Sequence, residues 1–194
     1  MHFDALTLSC IADELRSLLL PGRIQQVLLP DAYSIGMEIY AQRERHYLLI
    51  SAAPGDSRIH ISSSKLRRGD SGETPMLLLL RKYVRGALLT EIEQPDVAER
   101  LLFLSFEHAE LGATSIAVEP IGRMGNALLL DHTGNILECV RRLPGRDTSS
   151  RTLLPGRAYV PPPSMDKLAP LDDGSADYYE QLSAVTSQDG LLWK

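Results

Sequence analysis

The chain has 194 residues, 44% of them hydrophobic, with 20 basic against 25 acidic side chains and a formal net charge of −5. That size and apolar content suffice for one cored domain with an appendage, while the acidic balance argues against indiscriminate nucleic-acid binding. No apolar run of about 18 residues occurs, and the start Met1-His2-Phe3-Asp4 lacks a charged region followed by an apolar one, so the expectation is a cytoplasmic protein without signal peptide or membrane span.

Residues 3–20 place Leu8, Ile11, Ala12, Leu15, Leu18 and Leu19 on one helical stripe, which Pro21-Gly22 stops. Four short β-like runs follow, 23–29, 35–40, 47–51 and 58–62, separated by turn residues such as Pro30-Asp31 and Pro54-Gly55-Asp56. The polar stretch 63–74, with Gly69 and Gly72, reads as a mobile loop. Pro75 opens a second helix closed by Gly86, with Arg81, Lys82 and Arg85 gathered near its end, where cations also complement the helix dipole. A second β set spans 87–94, 100–107, 115–119, 127–131 and 136–142. The turn 131–135 before its last strand carries Gly134 and Asn135, which suit positive φ.

Helix, strands, helix, strands without βα alternation predicts an α+β fold: an antiparallel β-sandwich of two sheets sharing one core, flanked by two helices. The domain is expected over residues 1–160. Pro161-Pro162-Pro163 then begins an extended exit, and 161–194 reads as the start of a following helical region of a longer protein, with a short helix near 178–185.

Charge alternates in blocks. From Arg58 to Arg85, seven basic residues face two acids (7 − 2 = +5); from Gly86 to Glu119, one faces seven (1 − 7 = −6); from Arg141 to Arg157, five face one (5 − 1 = +4). Such blocks fit solvated faces, and equally a cationic surface for RNA set apart from a repelling one. Cys10 and Cys139, in apolar surroundings, are expected as buried reduced thiols; the five histidines are scattered and no C-x-x-C occurs, so no metal site is expected. Phosphate-binding glycine loops, H-E-x-x-H and G-x-S-x-G are absent, and nothing in the sequence pairs Glu119 with Asp131 for acid–base work. The expectation is a binding module, not an enzyme, with no cofactor and no small-molecule substrate.

Several segments, in order, carry a resemblance: F-D-A-L-T-L (3–8), P-G-R-I-Q-Q-V (21–27), L-L-I-S-A-A-P (48–54), R-I-H-I (58–61), P-M-L-L-L-L-R-K-Y-V-R-G (75–86), I-E-Q-P (92–95), E-P-I-G-R-M-G-N-A-L-L-L-D (119–131) and L-P-G-R-A-Y-V-P-P-P (154–163). Together they resemble the N-terminal domain of the NFACT family, which includes bacterial RqcH, eukaryotic NEMF and proteins historically labelled fibronectin-binding protein A. The resemblance implies ribosome-associated quality control: binding to the large ribosomal subunit with its stalled peptidyl-tRNA, and recruitment of tRNA for untemplated C-terminal alanine tailing. It also implies a fold similar to the N-terminal domain of formamidopyrimidine-DNA glycosylases. Those enzymes begin with a nucleophilic proline, whereas this chain begins Met1-His2-Phe3, so that activity is not expected.

The resemblance further assigns RNA contact to two places. The family's aspartate–arginine pair is matched by Glu99-Arg100, and its E-I-M-G-R turn by Glu119-Pro120-Ile121-Gly122-Arg123, followed by Asn126. Arginine pairs a phosphate or stacks on a base, and a carboxylate orients it; alternatively, Arg100 and Arg123 serve only intradomain ion pairs. Arg81, Lys82 and Arg85 are secondary candidates for phosphate contact. Two other readings are a fibronectin-binding surface adhesin and a glycosylase-like DNA-binding domain.

Overall fold

The computed structural model describes residues 4–70, 72–144 and 151–163. Helix α1 (Ala5–Leu19) starts where Asp4 caps it, accepting from the Thr7 amide at 2.7 Å, and buries Leu8, Ala12, Leu15 and Leu19. Helix α2 (Pro75–Tyr83) is capped by Thr74 and buries Met76, Leu77 and Leu80. The strands are β1 (Gly22–Leu28), β2 (Ser34–Ala41), β3 (Glu44–Ser51), β4 (Arg58–Ser62), β5 (Leu88–Glu93), β6 (Leu102–His108), β7 (Gly112–Glu119), β8 (Asn126–Asp131) and β9 (Ile136–Cys139). The α+β reading therefore holds, with an antiparallel sheet and two helices.

The two expected sheets are one. The strand order β4-β3-β2-β1-β5-β6-β7-β8-β9 is continuous through a single junction, β1 with β5. That junction has two register pairs, Gly22↔Leu89 and Arg23↔Leu88, whereas β2 and β3 share eight. So short a ladder constrains the relative direction of the two halves weakly, and the sheet bends there to bring them face to face. The turn after β3 meets the turn after β7: the Gly55 amide and the Ser57 hydroxyl both donate to the Gly122 carbonyl, each at 3.2 Å. One apolar core takes Ile35, Ile39 and Ile50 from the first half, Leu104, Ile116 and Leu129 from the second, and the buried stripes of both helices. The Arg16 side chain ties α1 to β5 by donating to the Ile92 carbonyl at 2.6 Å.

A smaller cluster lies on the outer face of β6–β9, where Leu101, Ala117, Leu128 and Leu130 pack with Leu153 of the strap 151–159. The strap is held by backbone bonds between Leu143 and Leu153 and from the Tyr159 amide to the Gly134 carbonyl at 2.9 Å. In the 131–135 turn Gly134 takes φ +81°, while Asn135 is not left-handed, contrary to expectation; it donates its amide to the Asp131 carboxylate instead. Residues 63–70, within the stretch expected as a mobile loop, form no helix or strand, and they are anchored where the Gly69 amide bonds the Leu29 carbonyl at 3.0 Å and Leu66 packs over Gly36. Residues 161–163 form no helix or strand; the helix expected near 178–185 lies outside the described residues.

One of the two cysteines departs from the expectation of buried thiols. Cys10 is exposed, because it sits two residues past Leu8 and so about 200° around the helix from the buried stripe. Cys139 is buried, and burial together with the adjacent Glu138 carboxylate pushes its thiol up to about 11. At neutral pH, alkylation of the native protein followed by intact mass should give one adduct, on Cys10, with the second appearing only after denaturation. Two adducts formed at equal rates would contradict the burial of Cys139.

Candidate nucleic-acid interface

Strand register decides which candidate residues meet. Leu102 opens β6 opposite Val118 near the end of β7, and Glu119 pairs with Asn126 at the start of β8. Residues 99–100, the turn 120–125 and Asn126 therefore lie at one end of the sheet, on strands spaced about 5 Å apart. Arg141, just beyond β9, joins them: Asn126 donates to the Arg141 carbonyl at 2.8 Å and accepts its amide at 3.0 Å.

The Glu119 carboxylate is buried, 1% exposed, and wholly engaged within the domain. Arg151 donates to both its oxygens, at 2.6 and 3.2 Å, and the Tyr159 hydroxyl donates to Oε1 at 2.7 Å. Burial and that carboxylate push the Tyr159 phenol far above its ordinary value, so it remains a donor. Glu119 thus anchors the strap rather than presenting charge at the surface. Asn126 is also buried, its amide closing the backbone of the turn. Pro120 is buried and Ile121 half-buried, so these four residues shape the turn from beneath.

What the turn presents is Arg123, with Met124 beside it, 59% exposed. Gly122 takes φ +50°, and the short 3₁₀ turn Gly122–Met124 closes with the Met124 amide on the Ile121 carbonyl at 2.9 Å. Gly125 has no room for a Cβ, which would collide with Ser57. The Arg141 guanidinium braces the turn from within, donating to the Arg123 carbonyl at 2.8 Å and the Gly125 carbonyl at 2.9 Å. The Arg123 guanidinium itself has no partner among the described residues. A fixed backbone carrying a free planar cation beside an apolar side chain suits pairing with a phosphate or stacking on a base.

Arg100 reaches the same end from the other side. Gln94 is buried and donates to the Glu99 carbonyl at 2.9 Å and the Ala5 carbonyl at 3.3 Å, fixing the 96–99 turn against the start of α1. The Asp4 carboxyl is held below its ordinary value by the Thr7 amide and hydroxyl, with the Arg100 charge contributing. Glu99 is half-buried and engaged within the fold. Asp4, Arg141, Arg151 and Tyr159 are not candidates in the sequence reading; Arg141 and Arg151 belong to the basic block after 140, and Asp4 and Tyr159 to the segments 3–8 and 154–163.

The cations of α2 lie elsewhere. Arg81 pairs with Glu73 at 2.6 Å, Lys82 sits 4.7 Å from the centre of the Tyr83 ring, and Arg85 is exposed beside Gly86. Leu88, just after them, pairs with Glu107 at the far end of β6, a strand length or roughly 20 Å from residues 100 and 123. The candidate residues therefore form two groups at opposite ends of the sheet.

The pattern describing NFACT N-terminal and middle domains matches residues 4–193. Sequence relatives include the Rqc2 homolog RqcH of Streptococcus pneumoniae serotype 2 (strain D39), 35% identical over 175 residues, 88% of this chain and 31% of that protein. Another is the Rqc2 homolog RqcH of Bacillus subtilis (strain 168), 32% identical over 199 residues, covering 100% of this chain and 34% of that protein. The chain spans about a third of the length of the curated relatives it matches. Among solved structures, the N-terminal domain of fibronectin-binding protein PavA from Streptococcus pneumoniae superposes with a TM-score of 0.81 at 32% identity, over 96% of this chain and 73% of that one. The N-terminal part of the fibronectin/fibrinogen-binding protein from Streptococcus suis gives 0.83 at 32%, over 96% and 70%.

Replacing Glu119 by alanine strands Arg151, 22% exposed, and the Tyr159 hydroxyl. The expected loss in unfolding free energy is about 3 kcal/mol. In an Arg151→Met background the same change should cost at least about 1 kcal/mol less. Denaturant melts of the four proteins measure the coupling, and strictly additive losses would show that the pair is not an anchor.

Proposed function

Because the chain belongs to the NFACT family, we propose that it is the N-terminal, tRNA-facing module of an RqcH-like factor in ribosome-associated quality control. In this reading the whole protein works in the cytoplasm, on the large ribosomal subunit carrying a stalled peptidyl-tRNA. There it recruits tRNA for untemplated C-terminal alanine tailing, and this module contributes binding rather than catalysis, without a cofactor. The observation that carries the reading is the rigid turn holding Arg123 outward at the end of the sheet that also receives Arg100. In a chain of net charge −5, a cation fixed on a braced backbone selects where a polyanion docks. Neutralisation of Glu119 by Arg151 removes the carboxylate that would repel phosphate there.

A second reading is favoured by the names of the solved relatives, which describe fibronectin- and fibrinogen-binding proteins. It makes the chain a module for a matrix glycoprotein. One assay separates the two: anisotropy of labelled bulk tRNA and of a labelled fibronectin fragment against the same protein over a salt series. Under the first reading, Arg100→Ala with Arg123→Ala lowers tRNA affinity by about tenfold and flattens its salt dependence, with an unchanged melting temperature. Unaltered tRNA binding by the double variant would remove these two residues from the interface, and fibronectin binding without tRNA binding would favour the second reading. Absence of base release from damaged duplex DNA is the expected outcome of the same samples in a glycosylase assay.

A further inference from the structure

Strand β2 breaks the alternation of a half-solvated sheet, since every residue from Ser34 to Ile39 is buried. Ile35, Met37 and Ile39 enter the core. Gly36 and Glu38 point to the opposite face, where Leu66 and Lys65 of the stretch 63–70 lie against them. A Cβ on Gly36 would meet Leu66 at 3.0 Å, and the Gly69 amide is fixed to Leu29.

The register arranges that outer face in rows. Arg23, Tyr40 and Arg45 are cross-strand partners in one; Gln26, Glu38, Tyr47 and Ser62 form the next. Glu38 is the buried centre, its side chain 8% exposed. Arg45 Nη1 lies 3.6 Å from one of its oxygens and Lys65 Nζ 3.8 Å from the other, yet these two side chains are 61% and 69% exposed. At such separations the pairs are Coulombic tethers rather than short hydrogen bonds, so the donors of both cations remain turned to solvent. A buried carboxylate needs compensation, and one cation supplies it; here there are two. The surplus positive charge is extended by exposed Arg67 and Arg68 on the covering stretch. Arg23 is exposed too and donates to the Gly86 carbonyl at 2.9 Å, which joins this face to Arg85 at the end of α2. Tyr40, 43% exposed, stands between Arg23 and Arg45 and offers a ring to a base or ribose.

We propose that the outer face of β1–β3, running from Arg23, Tyr40 and Arg45 past Lys65 to Arg67 and Arg68, docks an RNA phosphate backbone as a second contact, on a face separate from Arg100 and Arg123. The proposal rests on the RNA-binding reading of the family but not on the Arg123 turn. A strand of RNA, with regularly spaced charges, matches a line of exposed cations of which two, Arg45 and Lys65, are tethered to a buried carboxylate. Buried Glu38 holds two of those cations in place and limits their net charge.

The test uses the 194-residue chain with labelled bulk tRNA over a potassium chloride series. Arg23→Gln with Arg67→Gln and Arg68→Gln leaves the Glu38 cluster intact, and should weaken binding roughly tenfold and reduce the salt slope by about two. Glu38→Gln frees a unit of positive charge and should strengthen binding about threefold, the opposite of what a purely structural cluster gives. Thermal melts identify any variant that has lost its fold, and the triple glutamine variant, which spares buried groups, keeps the question open to refutation. Parent-like affinity and slope in both the triple variant and Glu38→Gln, while Arg100→Ala with Arg123→Ala weakens binding, would overturn this surface and leave the first intact. Loss in the triple variant alone would support this surface and remove the Arg123 site. Competition by polyglutamate as effective as that by unlabelled tRNA would mark the face as a dock for acidic protein and overturn the proposal.

Discussion

Two register pairs between β1 and β5 decide the shape of this molecule. A longer ladder would carry the twist of one half straight into the other and leave a broad open sheet with one apolar face in water. The brief junction lets the sheet fold at Gly22–Arg23, and the inner faces then close on each other with both helices completing the core. Gly22 is required there because a Cβ would strike the Leu19 carbonyl and Ile39. The same closure presses the 53–57 turn against the 122–125 turn, which is why Gly125 must be bare and Gly122 can offer its carbonyl to two donors. The presentation of Arg123 thus follows from a bend made about a hundred residues earlier in the chain.

Local structure was legible because its causes are local. Proline at Pro75, glycine at Gly86 and the leucine spacing of α1 act within a turn or two of themselves, and the elements appear where those signals place them. The nine strands likewise follow short apolar runs between turn residues. Whether nine strands make one sheet or two is a matter of a single long-range pairing, and no residue near Arg23 or Leu88 announces it. Cys10 shows a finer failure of the same kind. Apolar neighbours in sequence suggested burial, but the helical period puts Leu8 and Ala12 inside and Cys10 outside.

The turn that carries the candidate residues was legible in sequence, whereas which of its side chains reach the surface was not. Glu119 and Asn126 stand in the most distinctive turn of the sequence, yet both are buried and spend their polar atoms on the fold. Their partners, Arg141, Arg151 and Tyr159, lie 15 to 40 residues away, and spacing in sequence carries no trace of such pairings. A motif of this kind specifies the shape of a turn more than the chemistry at its surface. The side chain the turn does not use is that of Arg123, which is exposed.

An acidic chain presents cationic surfaces here by controlling which carboxylates remain outside. Glu119, Glu138 and Glu38 are buried, and each is matched by arginine or lysine: Arg151, Arg142, and Arg45 with Lys65. Pairing of this sort gives little net stability, because desolvating the carboxylate offsets most of the Coulombic gain. Its larger consequence is positional. A cation bonded at close range to a buried partner, as Arg142 and Arg151 are, loses the rotamer freedom of a surface side chain on folding. Where the carboxylate takes one cation, as at Glu119, the pair is spent on the fold and the neighbouring turn is simply freed of negative charge. Where it takes two long exposed ones, as at Glu38, the cluster itself keeps a net positive charge at the surface.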